Sequence, residues 1–309
     1  MKIVYFVSSK YPYETAIYPG VGPRYARMFG WPIGTFEQMA ETDCDIGVID
    51  NRTLPGDHPL IEAFLAQSTR RFPIFFKLSD PDMPTYTHAT ARYAFEKKDA
   101  AGVHYLSIYD LEGPLREFAQ TLKRSRILHL PFPYDRTREI DMRFDGRRRR
   151  VFLSGAYGRE LYPLRSLLRR QRRKNPLLRL AVSNLPHPGY PESGKPRRHE
   201  ITFERFIGHA AQFTHFFLCS SRYRVELMKF SECAYAGCVP IGEASNSLRN
   251  EVGDCFVTYS GRAFQLLKEV TGDRDAMLKR ATEYRRIMRV LRDPARLIAK
   301  FEKEIAAVL

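Results

Sequence analysis

The sequence predicts two consecutive α/β domains, each built on a doubly wound parallel sheet. Three observations lead there. At 309 residues the chain suffices for two domains of about 150 residues each. Short, unbroken apolar runs, as expected of strands buried on both faces, alternate with helical patterns along most of the length. Residues 131–150 break that rhythm with Pro131, Pro133, a string of charges and four consecutive arginines. A domain boundary is expected there, leaving residues 1–135 and 150–285 as the domains and residues 286–309 as a terminal helix.

The elements follow in order. Residues 2–8 (KIVYFVS) predict a first buried strand. A loop rich in Pro, Gly and Tyr leads to a helix from Arg24. Residues 45–50 (DIGVID) predict a strand, 60–70 a helix, and 72–78 (FPIFFKL) another buried strand, followed at once by Ser79-Asp80-Pro81-Asp82. Residues 103–109 and 127–130 add two shorter strands. The second half opens with a strand at 151–154 and a GAYG turn. A very basic helix (162–174) comes next, closed by Asn175-Pro176, and a strand is expected at 178–182. After a surface loop (185–199), a helix is expected at 203–212 and a strand at 216–219. A helix at 229–236 stops at Gly237, strands lie at 239–241 and 255–258, and residues 275–309 are helical with a break at Asp293-Pro294.

Bulk properties narrow the function classes. A net charge of +15 favours an anionic partner: nucleic acid, an anionic membrane surface or a phosphorylated substrate. Cys44, Cys219, Cys233, Cys238 and Cys255 are odd in number, scattered and without a CxxC pair, which speaks against a metal knuckle or a disulfide framework. No apolar run approaches 18 residues, and the opening MKIVYFVSS lacks the features of a signal peptide. The expectation is a cytoplasmic protein, with peripheral contact at the inner membrane face.

The most informative stretch is residues 219–243, CSSRYRVELMKFSECAYAGCVPIGE. A strand ends at Ser220-Ser221, a basic loop follows, and a helix carries Lys229 and Glu232 on one face. Two strand ends and a helix N-terminus thus converge near Arg222, Arg224 and Lys229, where open α/β sheets bind ligands and helix starts bind anions.

This pattern resembles the donor-site signature of GT-B glycosyltransferases. It is closest to the exostosin-like and spore-protein (YkvP/CgeB-like) groups, in which Arg-x-x-Glu precedes an Ala-Gly-Cys-x-Pro run. The resemblance implies two Rossmann-like domains facing a cleft, with the last helix crossing back onto the first domain. It implies a nucleotide-sugar donor held by Gly155, Ser221, Arg222, Arg224, Lys229, Glu232 and Gly237. Lys229 would contact the donor phosphates and Glu232 the ribose hydroxyls, with Gly237 allowing close backbone approach. Lys in place of Arg trades a bidentate fork for a point charge. Retaining relatives place a second Glu eight residues earlier; Arg224 stands there, so inversion is expected, with the leaving group stabilised by Lys229, Arg222 or Arg224 and by helix amides rather than by a metal. The acceptor implied is a glycan or a lipid-linked molecule.

Asp80 and Asp82 follow a buried strand, where a doubly wound sheet places chemistry. One of them would be the general base that deprotonates the acceptor hydroxyl. The same Ser-Asp-Pro-Asp is also good helix-start chemistry, with Pro81 at the first helical position. Gly20 and Gly22 form a weak glycine-rich loop. Arg165, Arg169, Arg170, Arg172, Arg173 and Lys174 crowd one helix, as a solvated face or as a contact for anionic lipid or a phosphate-bearing acceptor. Two alternatives stay open: a basic nucleic-acid-binding protein, against which no recognisable module is present, and an inactive enzyme that keeps the fold.

Overall fold

A computed structural model describes all residues except 14–20, 68–71, 79–88, 111–118, 121, 123–125, 190–197 and 309. The chain divides into two compact units, one of Met1–Pro133 with Arg292–Leu309, the other of Tyr134–Leu291.

In the first unit the described elements are β1 (Ile3–Val7), α1 (Val21–Met28), β2 (Ile33–Thr35), β3 (Ile46–Ile49), α2 (His58–Leu65), β4 (Ile74–Lys77), α3 (Ala89–Glu96), β5 (Val103–Ser107) and β6 (Ile127–His129). The strands form one parallel sheet in the order β2-β1-β3-β4-β5-β6. Every residue of β1, β3, β4 and β5 is buried, which explains the continuous apolar runs of β1 and β3; in β4 and β5 the polar Lys77, His104 and Ser107 are buried as well. The three-residue β2 was not expected. It pairs with β1, Tyr5 opposite Ile33, and is too short to show a pattern of its own. Its place makes the gap between β1 and β3 the point where the winding direction reverses.

A polar cluster lies at that reversal. Tyr5 donates its hydroxyl to Asp50 Oδ2 at 2.5 Å, and the Arg52 amide donates to Asp50 Oδ1 at 2.7 Å. Gly22 opens α1 against the same carboxylate; a Cβ there would collide with it. Asp50 thus supplies the anion that a helix N-terminus favours. Gly20 lies outside the described residues.

Lys77, 2% exposed, closes the cluster. Its Nζ donates to Asn51 Oδ1 at 3.4 Å and lies 5.1 Å from the Tyr25 ring centroid. Burial pushes this lysine down to about 8, against the pull of Asp50. Between that value and the unfolded value of about 10.4 the unfolded chain holds the proton and the folded chain does not, so stability rises with pH. The full span corresponds to about 3 kcal/mol. Lys77→Met removes this contribution. Urea unfolding should show the parent gaining on the variant by up to that amount between pH about 8 and about 10; parallel pH curves would reject the assignment.

The second unit contains β7 (Arg148–Gly155), α4 (Pro163–Lys174), α5 (Pro176–Ala181), β8 (Val182–Pro186), α6 (Phe203–Ala210), β9 (Phe213–Leu218), α7 (Met228–Ala236), β10 (Val239–Gly242), β11 (Val257–Thr258), α8 (Ala263–Thr271) and α9 (Arg274–Leu291). The sheet is again parallel, in the order β11-β10-β9-β7-β8. The strand expected at 178–182 is instead the helix α5. Asn175 accepts hydrogen bonds from the Leu177 and Leu178 amides as its N-cap, Pro176 takes the first helical position, and the strand starts only at Val182.

Along β7, Phe152 packs with Phe206, Phe213 and Phe216 on one face, while Val151 and Leu153 join Leu168, Leu178 and Leu266 on the other. The chain ends in α10 (Pro294–Val308), which belongs to the first unit. It packs on β6, and its Phe301 meets the rings of Trp31 and Phe75. Among the described residues no helix is long and apolar enough to cross a membrane.

Candidate nucleotide-binding site

In the second unit the winding reverses between β7 and β9, so the carboxyl ends of these strands form the crevice where open sheets bind ligands. β7 ends there in Ser154 and Gly155, and α7 begins with Lys229 in its first turn.

Lys229 donates from Nζ to Ser154 Oγ at 3.1 Å and lies 4.3 Å from the Phe206 ring centroid. Glu232, one turn on, places Oε2 at 4.0 Å from the same nitrogen. These side chains are 15% and 1% exposed. Burial pushes the lysine down to about 8, with Glu232 opposing. Burial likewise pushes the Glu232 carboxyl up, against Lys229 and Arg138. Neither Glu232 oxygen accepts a hydrogen bond among the described residues.

Arg165 completes the group from α4. It is 2% exposed, donates Nη1 to the Ala156 carbonyl at 2.9 Å, and stacks 4.2 Å from the Tyr162 ring centroid. Its Nε and Nη2 donate to nothing among the described residues. Gly155 makes room for both cations. Its φ is +100°, and a Cβ would lie 3.1 Å from Arg165 Nη1 and 3.2 Å from Lys229 Cε.

Two further groups border the cluster. Arg138 donates Nε to Glu204 Oε1 at 3.1 Å and leaves Nη2 unpartnered. His187, just past β8, is half-buried and accepts the Gly189 amide at Nδ1, 3.1 Å away. Burial, then Lys229 and Arg165, lower its pKa and favour the neutral ring.

The loop after β9 shares this end of the sheet. Ser221 and Arg224 have φ of +65° and +56°, uncommon backbone for residues other than glycine. The Val225 amide donates to Ser220 O at 2.9 Å, and Ser220 Oγ donates to Glu243 Oε2 at 3.0 Å. Arg224 faces Glu243 at 3.9 Å. The Arg222 amide donates to Leu161 O at 2.8 Å, fastening the loop to the β7–α4 connection. The Arg222 and Arg224 side chains are exposed.

Of the residues the sequence singled out, Gly155, Lys229 and Glu232 come together, and Ser221, Arg222 and Arg224 form the neighbouring loop. Gly237 stands at the opposite end of α7, with φ of +61°. The space its Cβ would need is filled by Met142 and Arg285, so the close approach there is by this chain's own side chains. Arg147 donates to the Ala236 and Gly237 carbonyls at 3.0 and 2.9 Å, closing that helix end. Asp80 and Asp82 lie outside the described residues. Sequence reasoning missed Ser154, Arg138 and His187 as site residues, and read Arg165 only as one cation in a basic run.

Chemically, the cluster offers two buried cations and a carboxylate with free acceptor capacity. That donor–acceptor set suits a ligand with anionic oxygens beside hydroxyl groups.

No family profile and no curated protein matches the sequence. Solved structures do match the fold. Anabaena Alr3699/HepE in complex with UDP aligns at a TM-score of 0.55 and 10% identity, covering 99% of this chain and 100% of that one. The same protein in complex with UDP-glucose aligns at 0.53 and 11%. TarM aligns at 0.51 and 11%, covering 84% of this chain and 54% of TarM. At such identities the likeness bears on fold alone, and that fold, two parallel-sheet α/β domains, is GT-B.

Proposed function

We propose that this chain is a glycosyltransferase that moves a sugar from a nucleoside diphosphate sugar to a glycan or lipid-linked acceptor. The observation that carries this reading is the buried set at the β7/β9 crevice: Arg165 with Nε and Nη2 unpartnered, Lys229, and Glu232 with both oxygens unpartnered among the described residues. A buried polar group without a partner costs free energy, so native chains keep such groups for a ligand or for catalysis. The GT-B fold supports the reading, as do the complexes of Alr3699/HepE with UDP and UDP-glucose.

In this reading Lys229 and Arg165 hold the diphosphate and stabilise charge on the leaving group, without a metal. Glu232 accepts hydrogen bonds from the ribose hydroxyls. The loop at Ser221–Arg224, and Arg222 with Arg224, border the donor. Arg224 in place of a second glutamate favours inversion at the anomeric carbon. The half-buried His187, beside these two cations, borders the same crevice on the side of the sugar and phosphate.

The test is a thermal-shift screen against UDP-, GDP-, ADP-, TDP- and CMP-linked sugars, with UDP-glucose first. One nucleotide class should raise the melting temperature; no shift with any would reject the reading. Affinity should also depend on pH with a defined sign. A bound diphosphate keeps Lys229 protonated, so binding takes up a proton once the free lysine titrates near 8. Affinity then falls about tenfold per pH unit above that value. Lys229→Arg should abolish the fall, and calorimetry between pH about 7 and about 9 reads both slopes.

A further inference from the structure

The outward side of α4, α5 and α8 combines two features that a solvated protein face does not need together. On α5, Leu178 and Ala181 enter the core, whereas Leu177 and Leu180, three apart and on one face, are 57% and 72% exposed. The helix α8 packs beside α5 and carries Phe264 at 76% exposure. Its entry is fastened to α4: Gln171 donates Nε2 to Gly261 O at 2.6 Å and accepts the Tyr259 hydroxyl at 2.5 Å. Three of the five exposed large apolar side chains among the described residues therefore lie on two touching helices.

Cations surround them. Residues 161–182 contain seven Lys or Arg and no Asp or Glu; residues 259–268 add Arg262 and Lys268, again without an acid. Arg170, Arg173, Lys174 and Arg179 are exposed, as are Arg262 and Lys268. Arg165 alone on α4 turns fully inward, to the site already described.

The charge pattern selects the occupant. A second copy of this chain would bring the same cations to the same contact and be repelled. A nucleic acid would neutralise the cations, and a single strand could stack a base on Phe264, but it would give Leu177 and Leu180 nothing to pack against. An anionic bilayer satisfies both features, since phosphates meet the cations while apolar side chains pass below the headgroups. We propose that this face docks the protein on an anionic lipid surface, with Leu177, Leu180 and Phe264 inserted and Arg170, Arg173, Lys174 and Arg179 holding the headgroup phosphates.

Co-sedimentation with vesicles tests this, using equal parts phosphatidylcholine and phosphatidylglycerol against phosphatidylcholine alone. The mixed vesicles should bind at least about tenfold more tightly. Leu180→Ser with Phe264→Ser should lose at least about tenfold in vesicle affinity, the anionic lipid unchanged. Arg173→Gln with Lys174→Gln should lose about fivefold per cation and flatten the salt dependence. All four positions are exposed, so melting temperatures should match the parent; Leu177→Ser stands in if the apolar pair misfolds. Equal binding to both vesicle types, no binding to either, or full binding by the apolar variant would overturn the proposal. So would a dimer in the absence of vesicles that the apolar variant dissolves. RNA that binds more tightly than the mixed vesicles, unaffected by the apolar variant, would overturn it in favour of nucleic acid.

Discussion

Replacing Lys229 with methionine should weaken nucleotide-sugar binding about 30-fold and destabilise the fold, and adding Glu232→Gln should repair the second defect only. The affinity loss follows from deleting one charged hydrogen bond, worth about 1.5–3 kcal/mol. The stability loss has another origin. Glu232 is fully buried, accepts no hydrogen bond among the described residues, and has Lys229 as the cation at 4.0 Å. Removing one partner of a buried pair costs about 3–5 kcal/mol when the other must stay charged. Burial already pushes the Glu232 carboxyl up, so it takes up a proton in the variant and the loss falls towards the lower figure. Gln at position 232 removes the charge and keeps the shape, which restores stability. It returns no cation to the crevice, so affinity stays low. Glu232→Gln alone should keep the phosphate contacts and lose about 1–3 kcal/mol of affinity, the cost of the ribose hydrogen bonds. Urea unfolding and calorimetry with UDP-glucose separate the two effects. Full affinity in Lys229→Met would remove the phosphate assignment, whatever happens to stability.

Much of this architecture is legible from patterns that depend on local chemistry. Strands buried on both faces, such as Ile3–Val7 and Ile46–Ile49, print themselves as unbroken apolar runs, and Gly237 marks the end of α7 because a left-handed cap favours glycine. Elements that depend on a partner elsewhere were harder. The strand Ile33–Thr35 exists because β1 lies beside it, and three residues carry no periodicity. Residues 178–182 read as a strand by their apolar content, which masks the helix-start signal Asn175-Pro176 that opens the helix Pro176–Ala181.

The site divides in the same way. Lys229 and Glu232 are visible because both sit on one short helix after a strand. Arg165 is hidden among six cations, although its spacing of three from the buried Leu168 places it on the apolar face of α4. That spacing was the available signal. Ser154, Arg138 and His187 come from three separate stretches, and only the folded chain brings them near Lys229 and Glu232.

For the acceptor side we propose a different residue pair, and the expected effect there is at least as large. Asp80→Asn or Asp82→Asn should lower turnover by about 10²-fold or more, whichever of the two is the base. Both follow β4, whose last residue, Lys77, is already buried in the polar cluster at the strand's carboxyl end. That end is where a doubly wound sheet presents catalytic groups. A hydroxyl attacks an anomeric carbon only as its proton departs, so a carboxylate that accepts the proton lowers the barrier, whereas Asn at the same position cannot accept it. Asn preserves size and can still cap a helix start, so a mere capping role predicts little change in either turnover or folding. The donor is assigned to the second unit, so affinity for UDP-glucose should stay within about twofold of the parent, since the substitution touches none of its charged hydrogen bonds. The diagnostic combination is therefore normal donor binding, a normal melting temperature and slow transfer. Full turnover in both variants would reject the carboxylates as base and turn the search to Glu14, His88 and Asp110. Loss of folding in either variant would show instead that the carboxylate is needed for the fold and not for the transfer.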